Sequence, residues 1–430
     1  MSITAFITVF FVLLFLGLPI GFVMAVTSAL YFLLSGNMLY LLMLPERIFS
    51  GLDVFVLMSI PFFMLAGEIM NRAGMSDRLV AFSNMIVGRF RGGLAQVNVL
   101  ASILFAGITG VALGDVAALG KIFIPQMEKQ GYTRAFAAAV TAASSLVGPI
   151  IPPSTIIVLY GAIMGVSVGA MFAGAIIPGL LIGISDMIVV YYLARKRGYP
   201  RQTVEVTPRK FVKGGADASL AIVMPVIIVG GILGGVFTPT EAAAVAVIYA
   251  LIVGLFVFRT LNLKDGGAIL YNAVIDSSRL FFIIAGAATV GWVFAMENIP
   301  AVVEQAFLTV SENPIVLVLL INLFFLVMGM WMEPGALIIL FAPVIAPLAY
   351  KAGLHPVQFG IMLIINGNIG LCTPPVGNVL FAVANIARIG IDKLARELLP
   401  FLVLNFSIIL LVGYWADLSL WIPRMLGLIR

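Results

Sequence analysis

The chain has 430 residues, 62% of them hydrophobic and 10% charged, with a formal net charge of +5. That composition excludes a soluble globular protein and describes an all-α polytopic membrane protein. A single cysteine (Cys372) and a single histidine (His355) exclude disulfides and a Cys/His-rich metal centre, and the excess of basic residues reports loop orientation, with no nucleic-acid partner implied.

The first 45 residues carry no charge. They lack a basic leading segment and a small-residue cleavage site, so "GLPIG" at 17–21 divides them into two spans instead of ending a signal peptide. Spans are expected near 3–19, 22–44, 54–71, 135–165 and 171–194. The stretch 97–128 is too long for one crossing and has the Gly-rich centre "AGITGVALGD", so it reads as a helical hairpin entering and leaving on one side. The segment 195–216 follows with seven Lys/Arg and one Glu, which places 195–213 in the cytoplasm. Further spans are expected near 218–237, 240–258, 280–297, 356–387 and 398–416, with a second hairpin at 313–350. This threading puts both termini outside and leaves only Arg47, Lys351, Arg424 and Arg430 of the 24 Lys/Arg there.

The pattern occurs twice. "FFMLAG" at 62–67 returns as "FFIIAG" at 281–286, "DVAALGKIFIPQM" from Asp115 aligns with "EPGALIILFAPVI" from Glu333, and "GPIIPPS" at 148–154 aligns with "GLCTPPV" at 370–376. The matched positions are glycines, prolines and acids, in the same order. Residues 1–194 therefore form one repeat, 195–216 a basic linker and 217–430 the second repeat. Each repeat holds an odd number of crossings, so the two are inverted, as in secondary transporters with interrupted helices at the repeat interface.

The interruptions carry the chemistry. Proline removes an amide and frees the carbonyl four residues back. Bare carbonyls at membrane depth are tolerated only inside protein or along a cavity. A hard monovalent cation such as Na⁺ supplies what they lack, so the breaks at 148–153 and 370–375 are two candidate cation sites; a kink that only shapes packing is the alternative. Asp115 and Glu333 are acids at matched hairpin positions, and each is either a functional group or the cap of its returning helix. Glu241 in "FTPTEAAAV" reads as a helix-start acid, and Glu68 faces a cavity or a loop base. Thr109, Ser144, Ser145, Ser154 and Thr373 supply small oxygens near the breaks.

Six stretches in this order resemble the large membrane subunit of tripartite ATP-independent periplasmic (TRAP) transporters: "IPFFMLAGEIMNRAG" (60–74), "GDVAALGKIFIPQM" (114–127), "GPIIPPS" (148–154), "FTPTEAAAVAVIYAL" (237–251), "MEPGALIILFAPVIAPLA" (332–349) and "TPPVG" (373–377). The resemblance implies an elevator, in which hairpins and broken helices slide against a scaffold of the other spans. It implies Na⁺ coupling through at least two sites, a small four-helix subunit expected on a separate chain, and a periplasmic binding protein that delivers organic acids such as dicarboxylates, sialic acids or keto acids in the bacterial inner membrane. By position, one Na⁺ site would use Gly107 and Thr109 of the first tip with Gly148, Ile151 and Pro152. The other would use Gly329 of the second tip with Gly370 and Thr373. Substrate would meet Thr109, Ser154 and Glu333. The family's first tip commonly reads Ser-Gly-Ser, where this chain has Thr109-Gly110-Val111. A carrier acting without a binding protein, a channel and an intramembrane enzyme are the competing classes, and the spans hold no HExxH, Ser–Lys or paired-Asp motif for the last.

Overall fold

The computed structural model describes residues 2–36, 38–110, 112–201 and 207–429, with the backbone alone of Gly107, Ile108, Thr109 and Leu263. All of its regular elements are helical. The chain opens with α1 (Ile3–Phe15) and α2 (Ile20–Leu34), separated at Gly17, whose φ of 83° only glycine adopts readily. The span expected over 22–44 stops at Leu34, and α3 (Met38–Leu52) is a separate helix. Next come α4 (Ser59–Arg72) and α5 (Met75–Val87), then the first hairpin, α6 (Gly93–Thr109) and α7 (Ala112–Lys129). The span expected over 135–165 is two half-helices, α8 (Arg134–Ser145) and α9 (Thr155–Met164), and α10 (Val168–Arg197) closes the half.

The second half holds α11 (Pro208–Leu233), α12 (Pro239–Ile252), α13 (Gly266–Met296) and α14 (Ile299–Val310). Its hairpin is α15 (Pro314–Gly329) and α16 (Pro334–Lys351), and its half-helices are α17 (Pro356–Gly370) and α18 (Asn378–Ala387). The chain ends with α19 (Ile391–Tyr414) and α20 (Asp417–Met425). Helix starts follow local chemistry: Thr133, Ser154, Ser167, Thr207, Thr238 and Asn313 each accept a first-turn amide, and proline takes the first positions of α11, α12 and α15.

Among the described residues seven helices are long and apolar enough to cross a bilayer, fewer than the spans expected from sequence. α1 and α2, with 13 and 15 residues, fall below the ~20 that an untilted crossing needs. α5, α14 and α20, and the part of α3 beyond residue 44, lie where the sequence reading placed loops; each is too short or too charged to stand out as a full-length apolar run. α13 extends 14 residues ahead of the expected start at 280, and α10 and α11 grow into the linker from both sides, leaving only 198–207 between them.

Two groups of helices result. In the outer group α2 packs on α13 and α4 on α12, each pair joining the first half of the chain to the second. Small residues permit close approach: a Cβ on Gly286 would lie 2.6 Å from the Gly21 carbonyl oxygen. The inner group contains both hairpins, all four half-helices, α10 and α19. Each returning hairpin helix packs on a half-helix from the other half of the chain, α7 on α18 and α16 on α9. The Ala-rich α8 is almost wholly buried, as a helix apolar all round must be.

Candidate ion and substrate site

Both proline doublets interrupt their helices. α8 ends at Ser145 and α9 begins at Thr155; α17 ends at Gly370 and α18 begins at Asn378. The Pro152–Pro153 and Pro374–Pro375 bonds are both cis. In the first break Val147, Gly148, Ile150 and Ile151 donate backward into turns, so the forward carbonyls lack amide donors. Among the described residues the carbonyls of Gly148, Ile150, Ile151, Pro152 and Pro153 accept no backbone hydrogen bond. The same holds for the carbonyls of Cys372, Thr373, Pro374 and Pro375 in the second break. Except for Ile151, the residues from Leu146 to Ser154 are buried. In the second break Cys372 is buried, Thr373 and Pro374 are half-buried and Pro375 is exposed. Carbonyl oxygens without donors, sheltered from water, are what a hard monovalent cation requires, so the donor set of the first break fits Na⁺ and that of the second fits it at its buried end.

Each hairpin tip lies against the break of its own half. Gly110 adopts φ 59° between α6 and α7, and a Cβ there would lie 3.6 Å from Thr155 N and 3.7 Å from Pro153 O. In the second half Gly377 N donates to Met330 O at 3.0 Å. Gly329 faces Gly367 so closely that a Cβ on Gly329 would lie 3.2 Å from the Gly367 α-carbon, and Gly370 abuts Gly329 still more tightly. The entering helix of each hairpin also bonds to the first half-helix: Ser102 Oγ donates to Ser144 Oγ at 3.0 Å, and Asn366 Nδ2 donates to Asn322 Oδ1 at 2.7 Å.

The expected site residues divide by location. Gly148, Ile151, Pro152 and Ser154 share the first break, and Gly329, Gly370 and Thr373 come together in the second. Gly107 and Thr109 lie in the last turn of α6, with only their backbone described, and Val111 lies outside the described residues. The hydroxyls satisfy local backbone: Ser145 donates to Ala142 O at 2.8 Å, Ser144 to Thr141 O at 3.3 Å, Thr373 to Ile369 O at 2.8 Å and Ser154 to Pro149 O at 2.5 Å. Ser154 also caps α9 by accepting from Ile157 N at 3.4 Å. Asp115 is buried in the first turn of α7 beside the first break, where a Cβ on Gly148 would collide with its carboxylate.

Glu333 occupies the N-cap position of α16, yet its side chain accepts no hydrogen bond from that helix and is exposed at the tip. The neighbouring Pro334 packs on Gly367, and Gly335 lies against Leu280 of α13. Next to Leu280 is Arg279, which pairs with Asp276 at 3.2 Å. The expected start of a span at 280 had left this cation in a loop.

Glu241 is set apart from the breaks. It sits on α12 in a reciprocal capping box, accepting from Thr238 N at 2.8 Å while its own amide donates to Thr238 Oγ1 at 3.3 Å. Glu241→Gln, which keeps an acceptor, is expected to leave melting temperature and transport close to wild type. Glu241→Ala is expected to lower the melting temperature without changing transport per folded molecule; a loss of transport in both variants at unchanged melting would give Glu241 a transport role. Glu68 accepts from Asn272 of α13 at 2.9 Å and lies 3.8 Å from Arg72, so it joins two outer helices. Missed in the sequence was Asp186, the residue that ends the uncharged run begun after Arg134 and that lies within an expected span.

Residues 7–418 match the family model described as the tripartite ATP-independent periplasmic transporter, DctM component. The chain is 40% identical over 413 residues to the sialic acid TRAP transporter large permease protein SiaM of Vibrio cholerae, covering 96% of each chain. It is 36% identical over 435 residues to the C4-dicarboxylate TRAP transporter large permease protein DctM of the same species, again over 96% of each. The solved structure of the Alcanivorax borkumensis YdaH transporter superposes with a TM-score of 0.61 over 89% of both chains at 16% identity, a likeness of fold.

Proposed function

The chain belongs to the DctM component family of the tripartite ATP-independent periplasmic transporters, a family of transport permeases and not of enzymes, and we propose that it carries a small organic acid anion into the cell by Na⁺-coupled elevator transport. The observation that carries this reading is the seating of each hairpin tip on a helix break whose carbonyls have no amide donors. A bound Na⁺ at each break supplies positive charge to an anionic substrate held between the tips. The first site uses Gly148, Ile151 and Pro152 with the Gly107–Thr109 tip; the second uses Gly370 and Thr373 with Gly329. Substrate contacts fall on Thr109, Ser154 and Glu333, with the N-terminal ends of α9 and α18 directed to the same region. Cation and anion then raise each other's affinity, since such coupling is reciprocal.

The two halves are inverted repeats, bounded at 1–194 and 217–430. The bonds Ser102–Ser144 and Asn322–Asn366, each tying an entering hairpin helix to the first half-helix of its own half, and the exchange by which α7 packs on α18 and α16 on α9, support that duplication. Its mobile unit comprises α6–α10 and α15–α19. α10 and α19 were expected in the scaffold, but they pack between the half-helices and on each other, so they travel with the breaks. The scaffold is α1, α2, α4 and α11–α13. The shorter α5 and α14 run between the two groups, α5 packing on α6 and α11, and α14 on α16 and α13.

A periplasmic binding protein delivers the substrate, and a small membrane subunit accompanies this chain. The complex resides in the bacterial inner membrane with 195–213 in the cytoplasm and both termini in the periplasm. Reconstituted proteoliposomes test the reading. Uptake of a carboxylate is expected only with an inward Na⁺ gradient and the cognate binding protein. Uptake without the binding protein would make this a stand-alone carrier, and uptake indifferent to Na⁺ would remove the ion sites.

A further inference from the structure

Asp186 lies on α10 and is 0% exposed. Its Oδ1 accepts from Asn405 Nδ2 of α19 at 3.2 Å, and Asn405 Oδ1 in turn accepts from Ser185 Oγ at 2.9 Å. Asn405 is 0% exposed as well. The second carboxyl oxygen, Oδ2, is buried and has no hydrogen-bond partner, and among the described residues Asp186 joins no ion pair.

Around α10 stand α6, α8, α9, α11, α17, α19 and α20. The Cys372 thiol of the second break is committed to Ala142 O of α8, to which it donates at 3.5 Å. Of the ionisable residues of α19, Asp392, Lys393, Arg396 and Glu397 cluster at its first turns, well before Asn405, with Glu397 taken up by Arg197, and Tyr414 ends the helix, donating to Ile315 O at 2.8 Å. On the remaining elements the ionisable residues lie at helix ends: Arg134 of α8 with Glu128, and Arg424 of α20 with Asp417. Tyr160 of α9 is committed to Pro356 O. Arg209, Lys210, Lys213 and Asp217 fall in the first turns of α11.

A carboxylate taken out of water with one oxygen unanswered is strongly disfavoured, so its charge must be neutralised by something that binds there. The sequence could have placed an amide at 186 and kept the bond to 405. It has an acid instead, and ionisable groups at membrane depth mark ion pathways by default. We propose that Asp186 and Asn405, at the crossing of α10 and α19, form a further monovalent-cation site, for Na⁺ or H⁺, within the mobile unit. Either ion answers the free oxygen, and the site stands whether or not Na⁺ binds at the breaks. The rival is a static polar link that fixes the α10–α19 crossing and exchanges no ion.

The test measures thermal unfolding of the purified full-length protein, with its small subunit where co-purified, against Na⁺ at constant ionic strength and against pH. Wild type and Asp186→Asn, which keeps the shape and removes the charge, are compared. If Na⁺ is the ligand, the Na⁺ concentration for half-maximal stabilisation rises about tenfold or more in Asp186→Asn. If H⁺ is the ligand, wild-type stability falls as pH rises, because the buried carboxyl must lose its proton without a partner, and Asp186→Asn is flat across that range. Unchanged Na⁺ and pH profiles overturn the proposal. Should Asp186→Asn not accumulate, Asn405→Ala removes the amide donor and must move one of the same profiles, and its failure to do so is equally decisive. A wild type blind to Na⁺ whose pH response vanishes in Asp186→Asn would refute ion binding at the breaks while upholding this site.

Discussion

Glu333→Gln is expected to reduce the initial rate of substrate uptake about tenfold or more, while the amount and melting temperature of folded protein stay at wild-type level. The argument begins with what Glu333 does not do. It holds the N-cap position of α16 but accepts no helix amide. The helix start is set by Pro334, whose missing amide needs no acceptor and whose ring packs on Gly367. An amide of the same shape therefore removes nothing the fold uses. It does remove the negative charge at the hairpin tip, which packs against α13 at Leu280. If the proposed elevator operates, the tip moves relative to α13, and the charge at the tip meets different surroundings as it crosses. Uptake in proteoliposomes with the binding protein, beside thermal unfolding of the same preparation, reads both properties. Normal uptake would reduce Glu333 to a bystander, and a parallel loss of melting temperature would make it structural.

Gly370→Ala is expected to be equally damaging for a steric reason. A Cβ at Gly370 would lie 2.5 Å from the carbonyl carbon, 2.6 Å from the α-carbon and 2.8 Å from the oxygen of Gly329. All three are backbone atoms, so no rotamer relieves the clash and the hairpin tip must retreat from the break. Overpacking of this kind costs about 1–3 kcal/mol. Retreat of the tip also separates the two halves of the proposed second Na⁺ site, so Na⁺-dependent stabilisation should weaken and uptake fall about tenfold or more. Gly291→Ala on α13, where a Cβ meets nothing within 4 Å, is the control and should behave as wild type. Wild-type uptake by Gly370→Ala would mean that tip and break do not touch in the working transporter.

Much of the candidate site is legible in the chain because its signals are local. A proline doublet in an uncharged run interrupts a helix whatever surrounds it, and α8–α9 and α17–α18 part where the prolines lie. Glycines at 110 and 329 permit tips that lie close to other backbone, and α6–α7 and α15–α16 fold back there. Membership in a transporter family was readable from the order of these motifs for the same reason.

What the sequence alone determined, then, was where helices break, where hairpins turn and that the whole lies in a membrane, since apolar runs, proline and glycine act on their own neighbourhood. The tertiary structure alone decided which distant segments meet. It gave Leu280 of α13 to the second hairpin tip, turned Glu241 to its own capping box, and buried Asp186 against Asn405, which lies 219 positions away in the chain. It also made α5, α14 and α20 helical outside the expected spans. Burial and partnership depend on surfaces brought together from both halves of the chain, and a side chain's charge or polarity carries no record of what it will face.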